Sequence, residues 1–152
     1  MTSLRFEVSD PASSTASKLL MQFRTEVNER YPDELIKDID IQDFIAVGGV
    51  FVIVYVDDVA RGCAAFYPLC KRSVEVKRMY VCPDYRGRGM SRLLLAHLED
   101  IARKQGFEWM KLETGRRQPE AIGLYLSEAY QEIDPFGSYV NDPNSICFEK
   151  PL

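Results

Sequence analysis

An α/β (α+β) domain is predicted from three observations on this 152-residue sequence. Strand patterns follow one another through the middle of the chain, joined only by short turns. Helical periodicity precedes them, and over the last third strand and helix patterns alternate.

Leu4, Phe6 and Val8 alternate with polar residues, the period of a strand, and Ser9-Asp10-Pro11 closes it. Between residues 12 and 30, Ala16, Leu19, Leu20, Phe23 and Val27 recur at three- and four-residue spacing, which predicts a helix stopped by Tyr31-Pro32-Asp33. Residues 33–44 are ambiguous. A second short helix is one reading, because Leu35, Ile36 and Ile39 share a face. The apolar, β-branched run Val50–Val56, the turn Asp57-Asp58 and the strand from Val59 to Leu69 form a hairpin. Lys71-Arg72-Ser73 turns the chain into a third antiparallel strand, residues 74–81, ended by Pro83. Met90, Leu93, Leu94, Leu98, Ile101 and Ala102 then share a helical face, with Gln105-Gly106 as its stop. Residues 109–114 read as a strand. Pro119 suits the first position of another helix, in which Ala121, Ile122, Leu124, Tyr125 and Ala129 are the periodic set. Ile133 and residues 145–149 supply the closing strands, separated by a turn-rich loop containing Asp134-Pro135-Phe136-Gly137 and Asn141-Asp142-Pro143-Asn144.

A hydrophobic content of 46% over 152 residues fits one domain, residues 1–152, large enough to bury a core without staples. The net charge of −4 argues against a nucleic-acid partner held by a basic field. Cys63, Cys70, Cys82 and Cys147 form no Cys-x-x-Cys pair and His97 is the sole histidine, so no metal site is expected and the cysteines read as reduced. No stretch approaches about 18 apolar residues and the N-terminus lacks a signal pattern, so the expectation is a soluble, cytoplasmic chain without a membrane partner.

The segment Arg86-Gly87-Arg88-Gly89-Met90-Ser91 follows a strand and opens a helix. The first N–H groups of a helix have no partner within it, and the helix dipole favours an anion there. Gly87 and Gly89 let such an anion approach the main chain, and Arg86 and Arg88 add charge-assisted donors. A bridging pyrophosphate suits this arrangement. The segment lacks the Gly-Lys-Ser/Thr ending of a P-loop and the Gly-x-Gly-x-x-Gly spacing of a dinucleotide fold, which argues against ATP and NAD.

The same residues resemble the fingerprint of the GNAT superfamily of acetyl-CoA-dependent N-acetyltransferases, Arg/Gln-x-x-Gly-x-Gly/Ala after a strand ending in Val, here Val81. Ser91 stands where that pattern has Gly or Ala. Leu112-Glu113-Thr114 followed by Gln118-Pro119-Glu120-Ala121-Ile122-Gly123-Leu124-Tyr125 resembles a second family segment, with Gln118 at the usual Asn position. The resemblance implies a central mixed, mostly antiparallel sheet of six to seven strands flanked by about four helices. It also implies acetyl-CoA as donor and an acetyl transfer to a primary amine of a small metabolite or amino acid by direct attack in a ternary complex.

By position, the resemblance assigns the coenzyme to Met79, Tyr80 and Val81, to Arg86 through Ser91, and to Thr114, Gln118, Ala121, Leu124 and Tyr125. The N–H of Val81 would polarise the thioester carbonyl, Tyr125 would serve the leaving thiolate, and Glu75, six residues before Val81, is the candidate general base. Tyr31, Phe136 and Tyr139 fall in loops that border the acceptor pocket in this family, and a homodimer is a family habit. His97 reads instead as a boundary residue of its helix, and Arg116-Arg117 as a solvated pair. Three other readings are a non-catalytic acyl-CoA sensor on the same fold, acetylation of a peptide or protein amine, and a phosphate-cradling nucleotide-binding protein, the last weakened by the missing phosphate lysine.

Overall fold

The computed structural model describes residues 2–33 and 38–152. Seven strands form one sheet: β1 (Leu4–Val8), β2 (Val50–Val56), β3 (Val59–Pro68), β4 (Ser73–Val81), β5 (Trp109–Gly115), β6 (Gln131–Ile133) and β7 (Ser145–Pro151). Their spatial order is β1-β2-β3-β4-β5-β7-β6; β4 and β5 run parallel and every other neighbouring pair is antiparallel. The helices are α1 (Ser14–Arg30), α2 (Ile41–Ala46), α3 (Met90–Lys104) and α4 (Pro119–Ser127).

Local chemistry accounts for most boundaries. Asp57 and Asp58 both take positive φ, 48° and 66°, the twist that a two-residue hairpin needs between β2 and β3. Ser13 caps α1 by accepting the Ala16 N–H at 3.1 Å, and Asp40 caps α2 by accepting the Asp43 N–H at 3.0 Å. A second short helix starts at Ile41; of the Leu35, Ile36 and Ile39 face, Leu35 and Ile36 lie outside the described residues. Ala129 is not part of α4: the helix stops at Ser127 and Ala129 turns through φ 69°.

Two apolar layers hold the sheet. On one side Val52, Val54, Phe66, Val76, Met110, Leu112 and Phe148 pack against Leu94, Leu95 and Leu98 of α3 and Tyr125 of α4. Each fully buried leucine of α3 contributes about 1.5–3 kcal/mol. On the other side Phe51, Ile53, Cys63 and Ala65 meet Ala16 and Leu19 of α1 and Phe44 of α2. Leu93, placed by periodicity on the core face of α3, is 44% exposed, and Leu95 is buried in its stead. The core is wide enough to take the neighbouring face of the helix. His97 is half-buried and stacks on Phe6 of β1 at 5.2 Å. No helix among the described residues is long and apolar enough to cross a membrane.

Candidate active site

Parallel pairing of β4 with β5 runs only from Ser73↔Trp109 to Val76↔Leu112. Beyond that point the strands part. Residues 77–81 of β4 and 113–115 of β5 form the two walls of a wedge, which widens into a cleft of about 880 Å³. This size is within the range of small-molecule sites.

The main chain of β4 is disturbed where the wedge opens. Register with β3 passes from Ala65↔Lys77 to Cys63↔Tyr80, so Arg78 and Met79 oppose the single residue Ala64. Arg78 adopts φ 59°, the left-handed conformation of a bulge. One extra residue reverses the alternation of side chains. Val74 and Val76 therefore face the α3 layer before the bulge, whereas Met79 and Val81 do so after it. Glu75 and Val81, six apart, would share a face on a regular strand but lie on opposite faces here.

That reversal decides where Glu75 goes. It is 2% exposed, accepts the Tyr67 hydroxyl at 3.0 Å and the Tyr139 hydroxyl at 2.7 Å, and pairs with Lys77 at 3.1 Å. The cleft wall is formed by Tyr139 and Lys77 in front of it, and Glu75 is not among the lining residues. Burial, then the Glu75 charge, pushes the Tyr139 phenol up. Phe136 also stands off the cleft, edge-on to Tyr139 at 5.4 Å with the Lys111 ammonium over its ring.

On the opposite wall Glu113 faces the cleft. Its carboxylate accepts the Ser145 hydroxyl at 2.6 Å, and burial raises its pKa above the ordinary 4.5, opposed by that bond and by Lys77. Tyr125 of α4 also lines the cleft; it is 5% exposed, and its phenol is pushed up first by burial and then by the Glu113 charge. A desolvated carboxylate and a phenol thus share the opening. Glu113 lies within the Leu-Glu-Thr segment quoted above, yet no local signal distinguishes it, because its access depends on where β4 and β5 separate.

The loop between β4 and α3 lines the far end of the cleft through Arg86, Gly87, Gly89, Met90 and Ser91. Gly87 and Gly89 take φ 75° and 80°, and a Cβ on either would meet nothing within 4 Å, so open space fronts their main chain. Gly89 caps α3 without a side-chain bond, leaving its first N–H groups to an external acceptor. Arg86 also braces the loop: its Nε donates to the Val81 carbonyl at 2.9 Å and its guanidinium pairs with Glu26 at 2.7 Å. Arg88 stacks on Tyr85 at 4.9 Å and is not among the lining residues. Because the Cys82 N–H donates to Arg61 of β3 at 2.8 Å, alternation points the N–H of Val81 away from β3, toward the wedge.

Met79, Tyr80 and Val81 from β4, Thr114 from β5, and Gln118, Ala121, Leu124 and Tyr125 around α4 all line the cleft. Tyr31 does so too, but its hydroxyl accepts the Arg117 N–H at 2.9 Å and its ring lies beneath the Arg117 guanidinium. Gly115 is required at this contact, since a Cβ there would lie 1.8 Å from the Tyr31 hydroxyl. Arg117 therefore ties α1 to the loop before α4, which a solvated pair would not do.

A parted parallel strand pair, a glycine loop at an uncapped helix end, and Glu113 and Tyr125 lining one cleft are the features of this site. Residues 14–128 match the family described as Acetyltransferase (GNAT) family. The IAA acetyltransferase of Azospirillum brasilense is 33% identical over 143 residues, 93% of this chain and 94% of that protein. The chain belongs to the GNAT acetyltransferase family and is an acyltransferase. Two solved structures share its fold. One is the GNAT family acetyltransferase of Elizabethkingia anophelis with acetyl-CoA bound, at TM-score 0.74 and 15% identity over 98% of each chain. The other is the PaiA N-acetyltransferase of Thermoplasma acidophilum with coenzyme A, at TM-score 0.75 and 16% identity over 99% of each.

Proposed function

We propose that the protein transfers an acetyl group from acetyl-CoA to the amine of a small molecule by direct attack within a ternary complex. The observation that carries this reading is the cleft itself: Glu113 and Tyr125 both line it, next to a loop with open main chain at the N-terminus of α3.

The residues present fit the coenzyme. Open space at Gly87 and Gly89 and the uncapped end of α3 suit a pyrophosphate, and the groove between β4 and α4 suits an extended arm. Acetyl-CoA, when bound, supplies the acetyl group as an activated thioester. Val81 offers a main-chain N–H on the wedge side for the carbonyl oxygen. Glu113 takes a proton from the acceptor ammonium, a task for which its raised pKa suits it better than an ordinary exposed carboxylate. Tyr125 keeps its proton to higher pH than a free phenol and holds it at the cleft for the departing sulfur. The base role passes from Glu75 to Glu113 in this reading. Glu75 instead anchors Tyr139, and through it the β6–β7 loop that walls the acceptor side.

The test is release of free thiol from acetyl-CoA by purified protein against a panel of small amines, with the acetylated product identified by mass. Binding of acetyl-CoA without thiol release from any amine would refute catalysis and favour a sensor.

A further inference from the structure

Among the described residues the sheet ends in two edges of unequal kind. At one end β6 is three residues long, a poor template for another strand; at the other β1 runs for five. We infer that the outer edge of β1 is a self-recognition surface, on which a second copy of this chain adds its own β1 antiparallel about a two-fold axis at Phe6.

The main chain sets which residues can pair. The Asp57 N–H donates to the Ser3 carbonyl at 2.9 Å and the Ser9 N–H to the Phe51 carbonyl at 2.8 Å, so the odd-numbered residues of β1 turn their polar groups toward β2. Leu4, Phe6 and Val8 turn theirs outward, where no described residue bonds to them. Antiparallel addition about Phe6 joins these groups by roughly six N–H···O bonds.

Side chains select the partner and the register. Phe6 stacks on His97 of α3, so alternation puts the exposed Leu4 and Val8 on that side of the sheet and Arg5 and Glu7 on the other. With Phe6 opposite Phe6, Leu4 of each copy meets Val8 of the other, and Arg5 meets Glu7. Within one chain Arg5 already pairs with Glu7 and lies over the Tyr55 ring at 4.1 Å. Both side chains stay about half exposed, 46% and 48%, so two copies assemble four alternating charges without breaking either internal pair. Sliding by two residues in either direction keeps the outward groups in line but sets Arg5 against Arg5 or Glu7 against Glu7. Sliding by one sets outward groups against inward ones. A foreign strand would have to reproduce this charge order, whereas a second copy carries it by symmetry. Because β2 and β3 separate β1 from β4, the pairing leaves both clefts open.

Sedimentation equilibrium of the full chain, from micromolar to about millimolar concentration, reads the association. The wild type should move from monomer toward dimer mass as concentration rises. Val8→Pro deletes an outward N–H without touching the β1–β2 ladder. It should leave circular dichroism and thermal unfolding near wild type while weakening dimerisation by about tenfold or more. Arg5→Glu turns both cross-copy charge pairs repulsive and should weaken dimerisation by about tenfold, and Arg5→Glu combined with Glu7→Arg should restore it. A wild type that stays monomeric throughout, a dimer whose dissociation constant is unchanged by Val8→Pro or Arg5→Glu, or a folded double swap that remains monomeric would overturn the inference.

Discussion

In the proposed reaction, burial prepares Glu113 and Tyr125 for proton transfer. Desolvation disfavours both anions, so the carboxyl titrates above its usual 4.5 and the phenol above its usual 10. Replacing Glu113 with Gln removes the proposed base and should lower kcat by roughly 10²–10⁴-fold. The acid limb of the wild-type kcat/KM profile should lie above 4.5 and be lost in that variant. Stability has the opposite sign. A carboxyl whose folded pKa is raised binds protons better in the native state, so its contribution is greatest at low pH and is lost as pH climbs from 4.5 through the folded value. Urea unfolding across that range should show the wild type losing more stability than Glu113→Gln. Tyr125→Phe should reduce kcat with little change in acetyl-CoA affinity, and steady-state kinetics beside calorimetry would show a main loss of affinity if the phenol served only packing.

At the level of elements, the bulge in β4, the glycine loop and the crossing of α1 over the end of β5 shape the cleft. Gly89 holds φ 80°, so Gly89→Ala should cost about 1–2 kcal/mol from backbone conformation and weaken acetyl-CoA binding together with it. At Gly115 the obstacle is steric rather than conformational. Gly115→Ala drives a methyl into the Tyr31 ring and should destabilise by about 1–3 kcal/mol. Tyr31→Ala in the same chain should restore part of that loss, and a double-mutant cycle from denaturant melts measures the coupling. Two fully additive costs would show that the ring is not the obstacle. The strands and helices were largely legible because they are written in local periodicity, as in α3 and in the hairpin β2–β3. The early end of α4 was not, because Ala129 acts through a backbone conformation that apolar spacing does not report.

Across the whole molecule, α3 is tied to the last strand by a buried polar cluster. Glu99 accepts the Tyr130 hydroxyl at 2.8 Å and pairs with Lys150 at 3.0 Å. Lys150→Met should destabilise by about 2–3 kcal/mol, less than a fully buried pair would lose, because the lysine retains some solvent exposure. Thermal unfolding at constant acetyl-CoA binding checks it. The cleft joins both layers of the sheet, so a ligand spanning it should stabilise the fold as a unit. Acetyl-CoA at 100 times its dissociation constant is expected to add about 2.7 kcal/mol.

The sequence by itself determined the glycine loop, the helix that follows it and the family resemblance, since each rests on contiguous residues whose conformational preferences are local. Only the tertiary structure decided which glutamate meets the cleft, what Arg86 binds and where Arg78 stands. Those outcomes depend on one bulge and on the point where two strands separated by 30 or so residues cease to pair, and long-range pairing leaves no trace in short-range spacing.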